Sequence, residues 1–259
     1  MLHLLKIEWL KLKNYKAFWI FLGLYIIGLF SINYILYQFQ NEIKKSGAPF
    51  ELLPYNYPRV YQTIAWISSW LLYFPGMLII LVISNEYSFK THRQNIIDGL
   101  TRRQFILSKI LVALSLALIT TIFTLVIAVL YGSYFSGSFS FEGIEYILYC
   151  FLQSLCYLFF AMILAVLLRR SGLALAIFFL YGLIFEQLIG GLMDNKVLES
   201  HSFWYYMPLE ASDVLIPITF GQKVIYKDAP ADSVLLAVVL VYIAIYCFFS
   251  FRKFERDDL

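Results

Sequence analysis

Glu186 is the one formal charge inside the apolar run Leu173–Met193. An ionisable side chain at bilayer depth is a candidate for proton, ion or substrate handling. Gly182, Glu186 and Gly190 recur every four residues, which places them on one helix face whose small residues favour close helix packing. On that reading the carboxyl is protonated or hydrogen-bonded at a packing surface, and packing is favoured over transport chemistry. Asn33, Thr120, Thr121, Thr124 and Gln153 are polar without charge and either line a path or bridge helices.

Other chemistry is absent from the sequence. There is no G-x-x-x-x-G-K-[ST] phosphate loop, no H-E-x-x-H zinc motif and no G-x-S-x-G elbow. His3, His92 and His201 are scattered, and Ser133 and Ser136 have no nearby histidine to activate them. Cys150, Cys156 and Cys247 fall in apolar runs, where a thiol behaves as a small hydrophobe rather than a metal ligand or disulfide partner. The expectation is no catalytic residue, no metal and no cofactor in this chain. The basic residues follow connections whose charge topology already explains, so no nucleic-acid partner is expected.

The elements around these residues are organised by the basic stretch Asn85 to Ile110, which lies between two apolar runs. Thr91 with Gln94 reads as a capping box opening a helix, and Gly99 sits where a left-handed residue closes one. This predicts a two-turn helix over His92 to Asp98. Thr101 with Gln104 is a second box that starts the next helix. The short helix is either docked at the membrane surface or a partner, or an ordinary loop helix.

With 61% hydrophobic and 14% charged residues and a mean hydropathy of +0.74, the chain reads as an all-α integral membrane protein of one domain. Six runs reach the roughly 20 residues a helix needs to cross the hydrocarbon core: Ala17–Tyr37, Gln62–Ser84, Lys109–Tyr131, Tyr146–Leu168, Leu173–Met193 and Ser233–Phe251. Pro75-Gly76 should kink the second. Residues 1–16 read as an interfacial helix carrying Leu2, Leu5, Trp9 and Leu12 on one side. A signal peptide is the competing reading, against which stands the lack of a small-residue cleavage site.

Lys and Arg fall mainly in alternate connections, 14 of 20 on the side of the N-terminus. By the positive-inside rule both termini, and the 85–110 stretch, are cytoplasmic. The outer connection 194–232 holds Phe203 to Pro217, too apolar for a solvated loop. It reads as short helices re-entering the outer leaflet, or as an aromatic belt at the interface.

This arrangement resembles the type-2 ABC transporter permeases, the membrane subunits of bacterial exporters. The residues carrying the likeness are Glu86, Thr91, the run from Ile96 to Ile110, and Tyr206 to Pro217; Lys90 departs from it, many members having glycine there. The resemblance implies a permease in the bacterial plasma (inner) membrane, working as a homodimer or as a heterodimer with a related permease. It implies two copies of a separate ATPase subunit, which would hold ATP and Mg. Glu86, Thr91, Ile96, Ile97, Gly99, Thr101, Arg102 and Arg103 would couple to that subunit through the Thr91–Gly99 helix. Spans one and five would meet across the dimer axis, with Gly182, Glu186 and Gly190 on the shared face, and Trp204, Tyr206, Pro208 and Pro217 would form an outer gate. A non-transporting scaffold remains an alternative; a secondary transporter would need more intramembrane charges and internal repeats.

Overall fold

The structure, a computed structural model, describes residues 2–45, 53–97, 99–136, 138–194, 202–219, 226 and 228–256. In chain order the α-helices are α1 Leu2–Leu12, α2 Lys16–Lys45, α3 Val60–Leu71, α4 Tyr73–Ser88, α5 Thr91–Ile97, α6 Arg102–Ser136, α7 Glu145–Leu168, α8 Ser171–Leu180, α9 Glu186–Leu192, α10 Glu210–Asp213 and α11 Asp232–Arg256. No strand occurs among the described residues. Six helices are long and apolar enough to cross a membrane: Lys16–Ile43, Val60–Ser88, Arg102–Ser136, Glu145–Leu168, Ser171–Leu192 and Asp232–Glu255. Each holds one predicted span, the fifth lacking only Met193, and together they make a multi-pass architecture.

Span two is jointed. Pro75 has no N–H for the Leu71 carbonyl, so the helix stops at Leu71 and restarts at Tyr73, with Leu72 N–H tightening onto Ser69 O at 3.2 Å. Span five is interrupted by a π-helical turn, Tyr181–Phe185, where the Glu186 N–H reaches back to Tyr181 O. Such a turn inserts an extra residue and rephases the helix after it.

Span four, α7, lies at the centre and packs on α3, α4, α6, α8 and α11. Apolar packing does not distinguish helix from lipid, so polar contacts between spans matter. Tyr25 OH lies 2.9 Å from Thr124 Oγ1, Ser68 Oγ 3.3 Å from Cys150 Sγ, and Ser69 Oγ donates to Gln153 Oε1 at 3.1 Å. Asn33, Thr120, Thr124 and Gln153 are fully buried within this one chain; Thr124 and Gln153 bridge helices, Thr120 Oγ1 bonds back to its own helix, and Asn33 bonds its own helix and Tyr55. The apolar stretches of spans two and four are 72% buried, but those of spans one and five only 17% and that of span six 22%, which leaves three apolar faces uncovered by the described residues.

The first helix differs from expectation in its buried side. Leu4, Glu8 and Leu12 turn inward and α1 lies against α6, while Trp9 is half exposed and packs edge-on to Phe18 and Trp19. A charged residue therefore sits in the docking stripe, held there by partners distant in sequence.

Candidate functional site

At the end of the bundle where α1, α4 and α6 meet, four charges form a closed network. Lys109 Nζ donates to Glu86 Oε1 at 2.6 Å and Glu8 Oε2 at 2.8 Å; Lys11 Nζ donates to Glu86 Oε1 at 3.0 Å and Glu8 Oε1 at 3.2 Å. Lys109 is 1% exposed and Glu8 2%. Burial alone would raise the Glu8 pKa, but Lys109 and Lys11 outweigh it and hold the carboxyl below its usual range. Burial opposes the charge on Lys11, and Glu86 and Glu8 override it, raising its pKa. Two acids and two bases thus neutralise one another, three of them buried and Lys11 reaching the surface, and tie α1, α4 and α6 together.

The α5 helix stands on this base. Its start corrects the Thr91–Gln94 capping box: the Arg93 N–H bonds the Lys90 carbonyl, so Lys90 occupies the cap position, in left-handed backbone at φ +57°. Thr91 Oγ1 turns instead to the Glu86 carbonyl at 3.4 Å, which also takes His92 Nδ1 at 3.0 Å. A carbonyl only accepts, so Nδ1 carries the proton. At the far end Leu100 N–H bonds Asn95 O and Gly99 N–H bonds Ile96 O, the Schellman pattern, with Gly99 at φ +105°. Asp98 lies outside the described residues. Ile96 is half-buried against the core, whereas Ile97 is 77% exposed. Thr101 and Gln104 form their box, Thr101 N–H to Gln104 Oε1 at 2.9 Å and Gln104 N–H to Thr101 Oγ1 at 3.2 Å. Arg102 donates to the Glu255 carbonyl, and Arg103 pairs with the Glu255 carboxylate.

At the opposite end, the Gly182–Glu186–Gly190 face is packed against the chain's own residues. Glu186 is 2% exposed and accepts the N–H groups of Leu209 (2.6 Å) and Glu210 (3.1 Å), capping α10 of its own chain. Added methyl groups at Gly182 and Gly190 would collide with Tyr73 and Trp204. Gly182 makes room for the Tyr73 ring of span two and Gly190 for the Trp204 ring of the outer segment. The exposed face of span five is instead Leu183, Ile184, Leu188 and Leu192.

The residues assigned to an outer gate brace that segment against the spans. Tyr242 OH donates to Tyr206 O at 2.9 Å, Cys156 Sγ to Pro208 O at 3.2 Å and Gln62 Nε2 to Pro217 O at 2.8 Å; Trp204 covers Gly190. Asp213 accepts Gln153 Nε2 and Tyr157 OH, each at 2.8 Å. Residues 195–201, 220–225 and 227 of the expected re-entrant connection lie outside the described residues.

Sequence reasoning passed over Glu8, Lys11, Glu210 and Asp213. Glu210 and Asp213 are three apart on a short helix between prolines, a signal that was legible. No group of His, Cys, Asp or Glu among the described residues is arranged to hold a metal ion.

Six helices long and apolar enough to span, α7 central among them, a short helix on an ion-pair base and a braced segment at the other end make the described residues a helical multi-pass membrane architecture. Residues 39–259 match the family described as a protein of unknown function, DUF2705, and the chain belongs to that family. No curated protein matches it.

Proposed function

We propose that the chain is the permease subunit of an ABC exporter in the bacterial plasma membrane. It pairs with a second permease copy, and α5 is the part gripped by a separate ATPase subunit. On this reading α1 and both termini lie on the cytoplasmic side, and the Phe203–Pro217 segment re-enters the outer leaflet. ATP and Mg belong to the partner.

The observation that carries the reading is Ile97, 77% exposed at the end of a seven-residue helix seated on the Glu8–Lys11–Glu86–Lys109 network. An apolar tip on a rigid base suits insertion into a groove, and a rigid base passes movement of the tip to spans two and three. Burying one isoleucine contributes about 1.5–3 kcal/mol, and aspartate there would also bury a charge. Ile97→Asp is therefore expected to leave insertion and dimerisation intact while cutting ATPase affinity about tenfold or more. Wild-type recovery of an ATPase subunit with Ile97→Asp, measured by co-purification, would overturn the proposal. Arg103→Ala is expected to weaken recovery only slightly, because Glu255 already holds that side chain.

A further inference from the structure

Between spans two and five, roofed by the outer segment, lies a cavity of about 540 Å³. Its walls are aromatic: Trp66, Trp70, Tyr73, Tyr157, Trp204 and Tyr226. Trp70 and Leu183, 59% and 47% exposed, mark where it opens sideways.

Three carboxylates gather here, and two are committed to structure. Glu186 is held by the N–H groups of Leu209 and Glu210, and Asp213 by Gln153 and Tyr157. Glu210 differs: it is 6% exposed, lines the cavity, and its carboxyl takes no hydrogen bond and no ion pair among the described residues. Burial, with Asp213 and Glu186 alongside, pushes its pKa up. A carboxyl facing a cavity beside two others carries a cost that a bound positive group removes.

We propose that this cavity binds organic cations with an apolar body, the charge set against Glu210 with Asp213 behind it and the body against Trp66, Trp70 and Tyr73. Aromatic faces attract cations as well as apolar groups, so walls and carboxylates select for the same kind of molecule. The space is far larger than a bare metal ion needs, and no Lys or Arg among the described residues lines it to hold an anion. As a statement about exported cargo this rests on the permease reading; as a statement about binding it does not.

The test uses the full chain in lipid nanodiscs, titrated with tetraphenylphosphonium and with tetraphenylborate, which has nearly the same shape and the opposite charge. Saturable binding of the phosphonium alone is expected, weakened about tenfold or more in Glu210→Gln. The folded Glu210 pKa lies above the unfolded value, so the carboxyl costs stability once pH rises past about 4.3, and glutamine removes that cost. Glu210→Gln should thus melt no lower than wild type at neutral pH. If it melts lower, Trp70→Ala decides, since truncation at the exposed mouth should spare the fold and still weaken phosphonium binding severalfold. Equal binding of both ions, or wild-type phosphonium affinity in a folded Glu210→Gln or Trp70→Ala protein, overturns the inference. Selective binding in a chain that recruits no ATPase would defeat the permease reading and leave this site standing.

Discussion

Lys109 is the only side-chain charge on α6 between its first turn and its end, and it survives there because two carboxylates from other helices meet it. Removing one member of a buried ion network strands the rest, a loss of roughly 3–5 kcal/mol, whereas replacing the whole network by neutral groups costs far less. Lys109→Met should therefore lower the melting temperature sharply, and combining it with Glu8→Gln and Glu86→Gln should recover most of the loss. A Lys109→Met protein that melts with wild type would refute the network's structural weight. Only the Glu8–Lys11 pair, three apart on α1, was readable locally, because Lys109 and Glu8 are 101 residues apart and Lys11 and Glu86 are 75 apart. Glu186 was singled out on its spacing, yet its role came from N–H groups 23 and 24 residues on. Spacing identifies a helix face, but not what the chain later folds onto it.

At the level of elements, local signals succeeded where nothing competed with them. Thr101 and Gln104 satisfy each other at an exposed helix start, and Gly99 closes α5 as its lack of a side chain allows. Thr91 failed as a cap because the Glu86 carbonyl lies within its reach, leaving Lys90 to turn the chain in left-handed backbone. That conformation costs a side-chain-bearing residue about 1–2 kcal/mol that glycine avoids. Lys90→Gly should slow amide exchange in α5, and Gly99→Ala should speed it by a comparable factor. Opposite signs would show that the two turns are held by something other than backbone preference. The kink expected at Pro75-Gly76 occurs one turn earlier, as it must when the missing donor belongs to a carbonyl four residues back.

For the whole molecule, span number and approximate limits followed from apolar length, whereas which faces stay uncovered did not, since lipid and protein ask for the same side chains. Orientation rests on charge alone and is open to direct measurement. In a cysteine-free background, cysteine at Ser133 should react with an impermeant thiol reagent from outside the cell and cysteine at Ser88 only after permeabilisation; both residues are exposed. Labelling of Ser88→Cys in intact cells would invert the topology and with it the assignment of α5 to the cytoplasm. The Ser200 position, also expected outside, lies beyond the described residues. The jointed second span links the two ends of the molecule: α4 carries Glu86 at one end, while Trp70 and Tyr73 flank the joint and wall the cavity. A helix bends most cheaply where a backbone bond is already missing. On the proposed coupling, force applied at α5 would be spent as an angle at Leu72 rather than as a shift of the whole rod, and would change the gap between the two aromatic rings. The joint would then make the second span a lever whose output is the width of a slot.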